Sequence, residues 1–153
     1  MYDILIKNGT VIDGTNGPAR QADVAIEDGK LAVVGQDLGA AHRTIDATGM
    51  LVTPGFVDIH THYDGQATWD PYLSPSTAHG VTSVVMGNCG MTFAPVRPGQ
   101  AEVLATAMES VEDIPASCIL EGLPWDWESY GDYLDTVDSL PQGINAGGYV
   151  GDV

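Results

Sequence analysis

Apolar and polar positions alternate through most of the first fifty residues, which is the period of a β-strand with one buried face. "DILIKNGTVIDG", residues 3–14, carries aliphatics on either side of Asn8-Gly9. "ADVAIEDGKLAVVG", residues 22–35, repeats the device around Asp28-Gly29. Both dipeptides favour two-residue hairpins, because both central positions of such a turn take positive φ. "TIDATGMLVTPGF" adds another strand or two and reaches Pro54-Gly55, a natural break. Residues 1–54 therefore read as a small β module.

After Gly55 the period changes to strand, helix, strand, the alternation of a parallel α/β sheet or barrel. "FVDIHTH" (56–62) is the first predicted strand and "HGVTSVVMGNCG" (79–90) holds the second, rich in β-branched residues and flanked by glycines. "GQAEVLATAMESVEDI" (99–114) places Val103, Leu104, Ala107, Met108 and Val111 at helical spacing, with Pro115 just beyond. "SYGDYLDTVDSL" (129–140) predicts a shorter helix and "GINAGGYVG" (143–151) a third strand. The expected fold class is α/β: a β module followed, over residues 55–153, by the first βα units of a barrel. A closed eight-stranded α/β barrel takes about 250 residues. An incomplete barrel, the N-terminal part of a longer enzyme, is therefore expected.

Charge narrows the choice of partner. The formal net charge is −16, and all five basic residues lie at or before Arg97. Phosphate binding needs clustered Lys and Arg, so nucleic acid is excluded as a partner, and the acidic excess reads as a solvated surface. No apolar run approaches the roughly 20 residues of a membrane helix, and "MYDILIKNG" is no signal sequence. A cytoplasmic protein is expected. Two cysteines, Cys89 and Cys118, are too few for a disulfide framework.

The chemistry concentrates in "GFVDIHTHYDG" (55–65). On a strand, Asp58, His60 and His62 share one face, while Val57, Ile59 and Thr61 take the other. Two imidazoles at i and i+2 can aim at one point, and neutral imidazole is a preferred ligand of zinc and similar divalent metals. The plainer alternative is two ordinary histidines with Asp58 in a local hydrogen bond. Cys89, in "MGNCG" at the end of the second strand, offers a thiolate between Gly87 and Gly90, glycines that let backbone approach a bound group. Its plainer alternative is a small buried cysteine. His42 and His79 read as surface or capping histidines. The aromatic, acidic "LPWDWESYGDY" (123–133) reads as loop packing and a helix start.

Taken in order, "DILIKNGTVIDG", "DGK", "IDATGMLVTPGFVDIHTHYDGQ" and "GVTSVVMGNCGMTFAPVRP" resemble the N-terminal part of the amidohydrolase superfamily, specifically its N-acyl-D-amino-acid deacylases, or D-aminoacylases. "PGFVDIHTH" is shared across that superfamily, whereas "HTHYDGQ" with "GNCG" at this spacing is more specific. The resemblance implies a β-sandwich portion over 1–54 joined to a metal-bearing TIM-like barrel, one or two Zn2+ ions, and hydrolysis of an N-acyl-D-amino acid. His60 and His62 match the family's paired histidine ligands, and Cys89 matches its thiolate ligand. Many superfamily relatives bridge two metals with a carboxylated lysine, and this chain has no lysine after Lys30. Tyr63, Asp64 and Gln66 match the run after the histidine pair and are expected to line the pocket. Asn88 belongs to the same expected surroundings, and Asp58 suits orientation of a ligand. Asp152 follows Val150-Gly151 where the family pattern often has histidine. The family's general base and remaining ligands match no position of this chain, so the 153 residues alone are expected to be inactive and, with an open sheet edge, to self-associate. Two other readings remain: a dihydroorotase- or hydantoinase-like cyclic amidase, and a non-catalytic metal-binding module.

Overall fold

A computed structural model describes residues 1–151, so Asp152 lies outside the described residues. The chain divides into two compact units that meet in sequence at Pro54-Gly55.

The first unit is a five-stranded sheet. Strands β1 (Tyr2–Val11), β2 (Arg20–Glu27), β3 (Lys30–Gly35) and β4 (Ala41–Asp46) lie in the order β3-β2-β1-β4. The short β5 (Leu51–Val52) pairs in parallel with the end of β1. β1 and β2 are antiparallel, and β1 and β4 parallel. Asp28-Gly29 forms the predicted β2–β3 hairpin, with φ of 52° and 70°.

Asn8-Gly9 does not form a turn. β1 runs through it, and the pairing with β2 slips between Ile6 and Gly9. Asn8 takes φ 63° and its backbone N–H donates to the buried Asp23 Oδ1 at 2.9 Å, while its side chain donates to Asp46 Oδ1 at 3.1 Å. Those two carboxylates satisfy the polar groups that the irregularity frees, so the dipeptide makes a bulge instead of a reversal. A Cβ at Gly9 would stand 2.4 Å from Val52 Cγ2, so the glycine leaves room for β5 to pack beside β1. Leu5, Val11, Ala22, Val24, Ala25 and Ala47 are the buried apolar residues of this unit.

The second unit is built on three parallel strands in sequential order: β6 (Phe56–Thr61), β7 (Val81–Met86) and β8 (Asn145–Gly148). The β6–β7 connection contains two 3₁₀ turns, Gln66–Thr68 and Ser76–His79. The β7–β8 connection carries α1 (Ala101–Glu112), α2 (Ala116–Gly122) and α3 (Tyr130–Ser139). The α/β class with its β module is therefore the fold that forms.

Two details of the helices depart from the sequence reading. α2 was not expected, because Pro115 was read as a terminator of the preceding helix; it stands instead at the N-cap of the next one, where its missing N–H costs nothing. In α1 the buried stripe is Leu104, Ala105 and Met108, while Val103 is 63% exposed. The stripe is rotated by about one residue, and it ends in Glu112.

The core of this unit gathers Leu73, Val84, Met86, Phe93, Met108, Ile119, Trp127, Tyr133 and Ile144. The aromatic run packs here as expected: Trp127 Nε1 donates to Phe93 O at 2.8 Å, and Tyr133 OH donates to Asp64 O at 2.9 Å. β6 is less buried than its apolar residues suggest. Phe56, Val57 and Ile59 are each well over half exposed, since β6 is an edge strand.

Candidate metal centre

His60 occupies the last turn of pleat in β6, and His62 follows one residue after the strand ends. The parity of the strand persists through that step, so the two imidazoles stack at 5.5 Å between centroids, 26° from parallel. Thr61 points the other way and donates to Val85 O at 3.0 Å, pinning the end of β6 to β7.

Cys89 arrives from β7 through the tight turn Gly87–Gly90, closed by Gly90 N–H donating to Gly87 O at 3.0 Å. Gly87 takes φ 71°, and a Cβ there would stand 2.4 Å from Thr92 Cγ2 and 2.8 Å from Tyr149 O. At Gly87 the missing side chain makes room for the protein's own close packing. Asn88 anchors the turn to the neighbouring strand, its amide donating to Ile59 O at 3.0 Å.

As a result one donor atom each from His60, His62 and Cys89 lies within 4.8 Å of the others. Cys89 Sγ is 3.4 Å from His62 Nε2. Zn–N of about 2.05 Å and Zn–S of about 2.3 Å at a tetrahedral angle place such a pair about 3.5 Å apart. The pair therefore fits zinc without rearrangement, and N and S donors are the set zinc prefers.

The remaining expected site residues divide. Asp58 Oδ1 accepts from the backbone N–H of His60 at 3.2 Å, so it braces the strand beneath the first imidazole and touches neither ring. Gln66 lines a cavity of about 280 Å3 together with His62, Trp69, Phe93, Glu112 and Cys118. Its amide is held by Asp70 Oδ2 at 2.8 Å and Ser74 O at 2.7 Å. Tyr63 turns to Ser76 Oγ at 2.7 Å and packs against the core instead of that cavity. Asp64 lies fully buried below the site, with Oδ2 accepting from Phe93 N–H at 3.0 Å and Oδ1 without a protein partner. Burial pushes its carboxyl above the ordinary carboxylate range, against the pull of the N–H groups it accepts. His42 and His79 are exposed, as expected of surface histidines.

Glu112 was not foreseen. Its Oε1 lies 3.2 Å from His62 Nδ1, and its side chain is one-tenth exposed. Burial raises the Glu112 carboxyl, the nearby Asp64 charge raises it further, and the His62 hydrogen bond opposes both. The signal was present in the sequence: Leu104, Met108 and Glu112 step by four along one helix face, so the glutamate continues an apolar stripe.

Residues 43–147 match the amidohydrolase family. The chain is 36% identical over 98% of its length to the D-aminoacylase of Alcaligenes xylosoxydans xylosoxydans, of which it spans 29%. A solved D-aminoacylase studied for its binuclear metal centre superposes with a TM-score of 0.76 at 34% identity, over 99% of this chain and 30% of that one. The N-acyl-D-glutamate deacylase of Bordetella bronchiseptica, solved with zinc and a phosphonate inhibitor, superposes with a TM-score of 0.78 at 33% identity, over 98% and 29%. With the histidine pair and the cysteine at one point of a parallel α/β sheet, the chain belongs to the amidohydrolase family.

Proposed function

We propose that these residues form the metal-holding part of a zinc-dependent deacylase that hydrolyses the amide of N-acyl-D-amino acids. The observation that carries the reading is the convergence of His60, His62 and Cys89, a mixed imidazole and sulfur donor set. Bound zinc lowers the pKa of a water and polarises the amide carbonyl. The chain's own part is to hold donors at fixed separation: Asn88, Thr61 and the Gly87–Gly90 turn lock β6 to β7 at the level of the ligands. A cytoplasmic setting belongs to this reading, since Cys89 must stay reduced to bind metal. Among the described residues no helix is long and apolar enough to cross a membrane.

The 153 residues are proposed to bind metal without turning substrate over. Three carboxylates around the donors have other partners: Asp58 the backbone of His60, Asp64 through Oδ2 the N–H of Phe93, and Glu112 the Nδ1 of His62. The reaction also requires a group placed to manage protons, and these three carboxylates have other partners.

The test is twofold. A protein of the relatives' length carrying these residues should release D-methionine from N-acetyl-D-methionine and lose that activity to a chelator, with zinc restoring it. The 153-residue chain should bind zinc and release none. Hydrolysis of a hydantoin ring but of no N-acyl-D-amino acid by the longer protein would overturn the substrate assignment, and turnover by the short chain would overturn the division of roles.

A further inference from the structure

Glu112 lies 50 residues from His62 in sequence and reaches it from the C-terminal turn of α1. An ionised carboxylate can only accept a hydrogen bond, so an Nδ1–Glu112 contact requires the proton on Nδ1. The tautomer of a neutral imidazole is set by the hydrogen bond its other nitrogen makes. Nε2 is then left with its lone pair, and Nε2 is the atom that faces Cys89 Sγ at 3.4 Å. The far nitrogen is tied down and the near one is free to coordinate.

We propose that Glu112 is a positioning residue that fixes His62 in the Nδ1–H tautomer and holds its ring so that Nε2 points into the donor set. The proposal rests on the metal reading above for its purpose, but not for its evidence, which is the placement of a buried carboxylate on the far side of the ring. Three further observations support it. Glu112 follows Leu104 and Met108 along the same face of α1, and its side chain is only one-tenth exposed. Its Oε1 takes the side of the ring away from Cys89, so it does not compete as a ligand. Among the described residues His60 has no comparable side-chain partner: the bond beneath it is from its own backbone N–H to Asp58. The two histidines are thus unequally prepared, with the His62 ring held by a carboxylate and His60 exposed on the strand. Carboxylate partners of this kind tune metal affinity by about 10- to 100-fold.

The experiment uses the metal-free 153-residue chain, labelled with 15N and held at about pH 8, above the ordinary range for imidazole protonation. Long-range 1H–15N spectra of the histidine rings report which nitrogen carries the proton. His62 is expected as Nδ1–H in the wild type, and a wild-type ring that carries its proton on Nε2 overturns the proposal without any variant. In Glu112→Gln the Nδ1–H share should fall, and zinc affinity, measured by competition with a chromogenic chelator, should drop by about 10-fold. Glu102→Gln, which removes the same charge from the exposed first turn of α1, should leave both readouts unchanged. An E112Q chain with wild-type tautomer and wild-type zinc affinity overturns the proposal. A wild-type chain that shows Nδ1–H at His62 and takes up no zinc supports the positioning bond and sinks the metal reading instead, so the two failures are separable.

Discussion

Cys89 is the residue on which the chemistry turns, because it converts a histidine pair into a three-donor set. Replacing it by alanine removes the thiolate and leaves two imidazoles, one of them exposed. Zinc content after dialysis should then fall from near one equivalent to a small fraction of it, while the fold persists, since the thiol fills no buried space. Metal analysis of C89A beside its circular dichroism checks this, and undiminished zinc would remove Cys89 from the ligand set. At this scale the sequence was legible where chemistry repeats with a short period. The i, i+2 histidines and the cysteine in its glycine turn could be picked out by residue type and spacing. Glu112 could not be paired with His62 in advance, because their contact joins side chains 50 residues apart in sequence. Tyr63 and Asp64 follow the histidine pair in sequence, yet alternation and the tight bend after β6 direct them to Ser76 and Phe93.

Among the elements, α3 shows most directly how local chemistry sets structure. Ser129 caps it with a capping box: the Ser129 hydroxyl accepts from Asp132 N–H at 3.2 Å, and Asp132 Oδ2 accepts from Ser129 N–H at 2.8 Å. Ser129→Ala should cost about 1 kcal/mol, read as a lower urea midpoint at unchanged slope. The Ser129 backbone N–H bond, first among several, holds the Asp132 carboxyl below its ordinary range. A carboxylate whose pKa is lowered on folding contributes stability that is present above its unfolded value, near 3.8, and is lost as pH falls through the lowered folded value. In Asp132→Asn that part of the acid transition should be missing, and an unaltered acid limb would remove the box from the account. α3 was legible because the signal is local. The Asn8-Gly9 bulge was not: the same dipeptide serves a hairpin or a bulge, and the choice was made by Asp23 and Asp46, 15 and 38 residues away. α2 escaped notice for a similar reason, as a proline can close one helix or open the next.

For the whole molecule, the α/β class was readable because strand, turn and helix periods change at Pro54-Gly55, where the units also part, and the family through the resemblance of motifs such as "HTHYDGQ" and "GNCG". What the periods did not reveal is how much apolar surface the three parallel strands leave uncovered. Parallel sheets are ordinarily covered on both faces. Here β6 is an edge strand with Phe56 and Ile59 each 65% exposed, and Tyr149 and Val150 stand exposed just after β8, the other edge. Edges of this kind offer unpaired backbone groups beside apolar side chains, which favours pairing between copies. The net charge of −16 opposes it. Repulsion between exposed charges acts over about 30 Å at 0.01 M salt but only about 10 Å at 0.1 M, whereas edge pairing and apolar burial are little screened. The balance should therefore shift with ionic strength: near-monomeric chain in dilute buffer, and oligomers that grow toward about 0.5 M sodium chloride, seen by size exclusion with light scattering. Ile59→Lys, which puts a charge on the exposed edge without touching the donor set, should restore the monomer at high salt. A monodisperse monomer at every salt concentration would show that β6 and β8 do not act as open edges in solution, and an oligomer that dissolves as salt is added would show that charge, not the sheet, holds the copies together.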